Sequence, residues 1–135
     1  VSGWYDQHCG DFLSVHNYFR ALKVYPDDGA LRGYAAERGC RAFALSEFGG
    51  ATFRVEGHCA FAGSYGYDSF KDAAAWRSAV RGMLAEAEAL ADDGLAAFVY
   101  TQLSDVEEEV NGILTYDRRV NKLKEDGHGR CGGEN

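Results

Sequence analysis

The sequence predicts an α/β fold built on parallel strands, and three observations carry that prediction. Short apolar runs recur at 11–19, 41–47 and 95–101, with the length of buried strands. Each run turns polar at its C-terminal end, where α/β sheets and barrels keep their chemistry. Between the runs lie segments of helical periodicity, and a strand that returns through a helical crossover pairs in parallel with its predecessor.

The first run, Asp11-Phe12-Leu13-Ser14-Val15-His16-Asn17-Tyr18-Phe19, reads as a strand. Pro26, Asp27 and Asp28 make a helix start: proline suits the first turn, and the helix dipole favours acids there. Leu31, Tyr34, Ala35 and Arg38 share one face of that helix, and Gly39 stops it. The strand at 41–47 follows directly. Phe48 to Asp68 is a long loop, and its aromatics Phe48, Phe53, Phe61, Tyr65 and Tyr67, with His58, favour an ordered one. Ser69-Phe70-Lys71-Asp72 has the capping-box pattern and predicts a helix of about 24 residues. Its buried stripe is Trp76, Val80, Met83, Leu84, Ala87, Leu90 and Ala91, and Asp92-Asp93-Gly94 ends it. The strand at 95–101 leads into Gln102, Ser104, Asp105 and an acidic loop, Glu107-Glu108-Glu109. Asn111-Gly112 precedes a strand-like 113–117, residues 118–125 are read as a last helix, and 124–135 as a flexible tail.

The 135 residues suffice for one domain with one core. A net charge of −7 argues against nucleic acid, whose phosphates reward a basic patch. There is no apolar run of about 18 residues to span a membrane, and Val1-Ser2-Gly3-Trp4 carries no visible leader pattern. Cys9, Cys40, Cys59 and Cys131 have irregular spacing without a C-x-x-C pair, which favours reduced thiols and a cytoplasmic setting. Phosphate-loop and Gly-x-Ser-x-Gly patterns are missing from the sequence, so the Gly49-Gly50 turn predicts neither a nucleotide site nor an esterase. No cofactor is expected. His128-Gly129-Arg130-Cys131 would need ligands from elsewhere to hold zinc, and the 107–109 acids lack the spacing of a calcium loop.

Glu47 is the residue most suited to chemistry. It ends an apolar strand and precedes a Gly-Gly turn, where a carboxylate is costly to desolvate unless it has partners. His16 and Tyr18 project from one side of the first strand's end and are candidates for that partnership. The plainer alternative is a strand-end Glu47 paired with Arg41 or Arg54. Tyr100 and Phe48 are aromatic platforms or, more commonly for such residues, core.

Three stretches resemble the C-terminal part of the catalytic barrel of glycoside hydrolase family 2, which includes β-galactosidases and β-glucuronidases. Ser46-Glu47-Phe48-Gly49-Gly50 resembles the seventh-strand motif, whose Glu is the nucleophile. Val99 to Asp105, followed by Asn111-Gly112-Ile113-Leu114-Thr115-Tyr116-Asp117-Arg118, resembles the eighth strand and its trailing segment. Asp11 to Phe19 resembles the sixth strand, with Tyr18 at the tyrosine that hydrogen-bonds the nucleophile, and Ser2-Gly3-Trp4 resembles the segment after the fifth. The likeness covers about residues 1 to 123 and implies a partial (β/α)8 barrel, strands six to eight with their helices. It implies a retaining glycosidase acting on β-glycosides, with Glu47 and Tyr18 catalytic and His16, Asn17, Gln102 and Asp105 as substrate contacts. The family's acid/base Glu follows an Asn, and no Asn-Glu dipeptide occurs here, so the expectation is a fragment inactive alone. The alternative is a non-catalytic α/β module that binds a sugar or a partner, with its open edges covered by pairing as two half-barrels.

Overall fold

The computed structural model describes residues 3–4, 9–18, 22 and 40–124. Three apolar runs become three adjacent strands, β1 (Phe12–Asn17), β2 (Ala42–Gly49) and β5 (Leu95–Thr101), in the spatial order β1-β2-β5. Both pairings are parallel, so the three polar ends meet at one rim. Between β2 and β5 lie two short strands, β3 (Thr52–Phe53) and β4 (Ser69–Phe70), paired in parallel, and the helix α1 (Ala73–Ala89). The architecture is mixed α/β, as the sequence predicts. The expected helix after Pro26, most of the expected tail and Cys131 lie outside the described residues.

β2 carries one more residue than its neighbours allow. Val15 pairs with Leu45 and His16 with Glu47, while Leu45 pairs with Phe98 and Phe48 with Tyr100. Both flanks therefore see a bulge around Ser46 and Glu47. Regular alternation would send Phe43, Leu45 and Glu47 to one face. With the bulge, Phe48 joins Phe43 and Leu45 instead, in a core with Leu13, Val15, Leu95 and Ala87 of α1. Full burial of Phe48 contributes about 1.5–3 kcal/mol, and the alternative would drive a carboxylate into the same core at far greater cost. Phe48 and Tyr100, read from sequence as aromatic platforms or core, are both packed against this core.

α1 is shorter than predicted and starts later. Ser69 and Phe70 are extended because they pair with Thr52 and Phe53, and the Ser69 hydroxyl lies 2.8 Å from that of Thr52. The cap is Asp72, whose Oδ1 accepts from the Ala75 N–H at 2.7 Å and satisfies an otherwise orphaned donor. Trp76, Val80 and Ala87 form the buried stripe, and the Trp76 indole donates to the Ala51 carbonyl at 2.9 Å. Gly94, at φ +103°, turns the chain into β5.

After β5 the sequence expectation of a strand at 113–117 and a helix at 118–125 does not hold. Leu114 makes only isolated bridges, to Ser104 and Asn121. Asp117 bonds its own neighbourhood, accepting from Thr115 Oγ1 at 2.7 Å and from the Arg119 N–H at 3.1 Å. An Asp that satisfies local backbone donors in this way competes with a helix. Lys122 fastens the segment: its ammonium donates to Asp105 Oδ1 at 2.7 Å, the Val110 carbonyl at 3.0 Å and the Phe53 carbonyl at 3.1 Å. Burial pushes the Asp105 carboxyl up and the Lys122 ammonium down from their ordinary values, and the pairing opposes both shifts.

β5 is less covered than the other two strands. Phe98 is 37% exposed and Val99 56%. Among the described residues no helix is long and apolar enough to cross a membrane.

Candidate functional site

The three strand ends and the loops after them enclose a cleft of about 400 Å³. Glu47 stands at its wall, carried there by the bulge. The Tyr18 hydroxyl donates to Glu47 Oε2 at 2.8 Å, and His16 Nδ1 lies 3.3 Å from the same oxygen. The carboxylate is thus held on one oxygen while its side chain keeps 41% of its exposure. Burial pushes the Tyr18 phenol well above its usual range, and the Glu47 carboxylate adds to the shift, so the phenol remains a donor.

The alternative partners of Glu47 are engaged elsewhere. Arg41 donates to the carbonyls of Cys9, Gly10 and Phe12 at the opposite end of the sheet. Arg54 pairs with Glu56 and donates to the Phe61 and Gly63 carbonyls.

Aromatic rings form the adjacent wall. Tyr67 stacks on Tyr18 at 4.4 Å between centroids, and Tyr65 meets Tyr67 at 6.3 Å. Trp4 lies against His16 at 5.7 Å and Tyr18 at 5.9 Å, and the Gly3 carbonyl accepts from the His16 N–H. The segment read from sequence as a loop from Phe48 to Asp68 begins within β2, contains β3 and delivers Tyr65 and Tyr67 to the cleft. Its path depends on Gly50, at φ +75°, where a Cβ would overlap the Tyr67 ring.

The far side is polar. Gln102 Nε2 donates to Asn111 Oδ1 at 2.7 Å and to Glu109 Oε2 at 3.1 Å. Thr101 borders Gln102 in the lining, and the peptide between them is cis.

Of the residues predicted from sequence, Glu47, Tyr18, His16 and Gln102 meet in this cleft. Asn17, between His16 and Tyr18, is not among the residues that line the cleft. Asp105 is corrected: it is buried against Lys122 and also accepts from the Gly112 N–H at 2.8 Å, so it anchors the loop instead of facing a ligand. Sequence reading missed Glu109 and Asn111. Glu109 belongs to the acidic loop at 107–109, of which Glu107 and Glu108 are exposed while Glu109 is partly buried.

Cys9, Cys40 and Cys59 are free thiols. Among the described residues no group of three His, Cys, Asp or Glu is arranged to hold a metal ion. Comparison of the sequence with models of known families and with curated proteins finds no match.

The arrangement offers a carboxylate held by a phenol, flat aromatic walls and an opposing amide-carboxylate pair. That set suits a polyhydroxylated ligand, which needs planar hydrogen-bonding groups and apolar ring faces together.

Proposed function

We propose that this chain is part of the (β/α)8 barrel of a retaining glycoside hydrolase acting on β-glycosides, and that Glu47 is its nucleophile. The observation that carries the reading is the Glu47 carboxylate at the C-terminal end of the central parallel strand, held by Tyr18 and facing an aromatic-walled cleft. In the reaction a Glu47 oxygen attacks the anomeric carbon and forms a glycosyl ester as the bond to the leaving oxygen breaks. A second carboxylic acid gives that oxygen its proton, and water, deprotonated by the same group, then hydrolyses the ester. The Asn-Glu that supplies this acid in family 2 is not among these 135 residues, so this chain contributes the nucleophile side of the site. His16 and Gln102 orient groups around the ligand. Free thiols at three cysteines support a cytoplasmic setting.

A leaving group that departs without a proton separates the nucleophile's role from the missing acid. The chain is incubated with dinitrophenyl fluoro-sugar β-glycosides and followed by intact mass. One glycosyl unit on Glu47, absent in Glu47→Gln, is the expected result, together with no turnover of ordinary aryl β-glycosides. A chain that takes no label, or takes it equally well as Glu47→Gln, refutes the assignment.

The exposed apolar residues of β5 favour a second reading, a non-catalytic module that pairs two copies edge to edge. Light scattering gives twice the monomer mass under that reading, with sugar binding but no label on Glu47.

A further inference from the structure

The Gln102, Glu109 and Asn111 group explains more than a polar wall. The Gln102 amide nitrogen has two hydrogens, and both are spent: one on Asn111 Oδ1, one on Glu109 Oε2. Gln102 is therefore a positioning residue, and what it positions is a second carboxylate in the cleft. The backbone of Glu109 is fixed as well. Its N–H donates to the Val106 carbonyl at 2.9 Å, its carbonyl accepts from Val106, and the Tyr65 N–H donates to the neighbouring Glu108 carbonyl at 2.8 Å. Glu109 thus sits beside Tyr65 and lines the same cleft as Glu47, with Oε1 left for a ligand.

We infer that Glu109 is a specificity-determining residue that restricts the site to neutral or amino sugars and rejects uronic acids. This rests on reading the cleft as a glycoside site. The chemistry is that of two acceptor-only groups. A sugar hydroxyl or ammonium donates to Glu109 Oε1, and an ammonium gains in addition from the charge. A uronate brings a third carboxylate to a cleft that already holds Glu47 and Glu109. Among the described residues lining that cleft there is no Lys or Arg to offset it. Like-charge juxtaposition of this kind is a device for excluding a wrong ligand.

The test titrates the chain with three methyl β-glycosides, of glucose, glucosamine and glucuronic acid, and follows binding by amide chemical shifts. The glucoside and glucosaminide bind, and the glucuronide binds at least about tenfold more weakly. Glu109→Gln keeps the size and the Gln102 neighbour but removes the charge, and it narrows the gap between glucosaminide and glucuronide by about tenfold. Gln102→Leu, which releases Glu109, narrows it in the same direction, with melting temperature confirming that both variants fold. Two results overturn the inference while leaving the glycoside site intact. One is a glucuronide that binds as well as the others; the other is a Glu109→Gln variant with an unchanged gap, where Glu47→Gln still weakens the glucoside and the glucosaminide. If neither the glucoside nor the glucosaminide binds the wild-type chain better than Glu47→Gln, the glycoside reading itself fails and the specificity role with it.

Discussion

Replacing Lys122 with methionine isolates what the buried ion pair contributes. The Lys122 side chain is 0% exposed and that of Asp105 1%, so neither charge is relieved by solvent. All three ammonium donors are used, on Asp105, Val110 and Phe53. Methionine has similar length and remains against the Trp76 ring, over which the ammonium lies at 5.4 Å. No cavity opens, and the loss is electrostatic. Removing one partner of a buried pair costs about 3–5 kcal/mol, because the other charge is left uncompensated. With a urea slope of about 1.5 kcal/mol/M, the midpoint falls by about 2–3 M. The assay is urea unfolding followed by circular dichroism, on Lys122→Met, Asp105→Asn and the double variant. Because Asp105→Asn removes the stranded charge, the double variant recovers about 1–2 kcal/mol relative to additivity. The reasoning is refuted if Lys122→Met costs under about 1 kcal/mol, or if the two substitutions simply add.

Tyr18→Phe removes the donor to Glu47 Oε2, a hydrogen bond to a charged group worth about 1.5–3 kcal/mol. Labelling of Glu47 by the fluoro-sugar reagent is expected to slow about ten- to hundredfold, and an unchanged rate contradicts the role given to the phenol. Gly50→Ala combines a positive φ with overlap onto Tyr67; it is expected to destabilise by about 1–3 kcal/mol and to weaken the near-ultraviolet signal of the stacked tyrosines. Asp117 provides a pH signature. The Thr115 hydroxyl first, with His58 and the Arg119 N–H, holds its carboxyl down at about 2, below the ordinary 3.8. The folded chain therefore binds this proton more weakly than the unfolded one. The stabilisation is present above about pH 4 and lost as pH falls through about 2. Asp117→Asn is expected to flatten the melting temperature over that interval, and a profile identical to wild type between pH 4 and 2 counts against the assignment.

The strands and their common rim were legible because each apolar run ends in polar residues, and that pattern follows directly from a buried sheet with an open end. Glu47, His16 and Tyr18 stood out for the same reason. Which way Glu47 faces was not legible. Ala42 to Leu45 are all apolar, so a two-residue period marks no face and the bulge leaves no trace in the pattern. The start of α1 was misread because Ser69 and Asp72 both suit a cap, and only pairing with β3 decides between them. Lys122 and Asp105 lie in segments without periodicity, and their meeting depends on tertiary turns that local propensity does not encode. Glu109 was hidden among like neighbours. Its signal, visible in retrospect, is a Gln and an Asn flanking an acid near a strand end.

The supernumerary residue beside Ser46 separates two jobs that a plain strand would force on one surface. Upstream of it, odd positions from Phe43 to Leu45 face the core; downstream, the parity is inverted, so the hydrophobic anchor and the cleft carboxylate occupy consecutive positions and point oppositely. Excising that one amino acid would restore plain alternation with phenyl ring and carboxylate where they now stand, whereas keeping it and pairing the strand without the irregularity would exchange their addresses. The make-up of this rim is therefore hostage to register, and a strand that kept the extra residue but straightened the irregularity would turn the acid from the cleft before it lost the sheet.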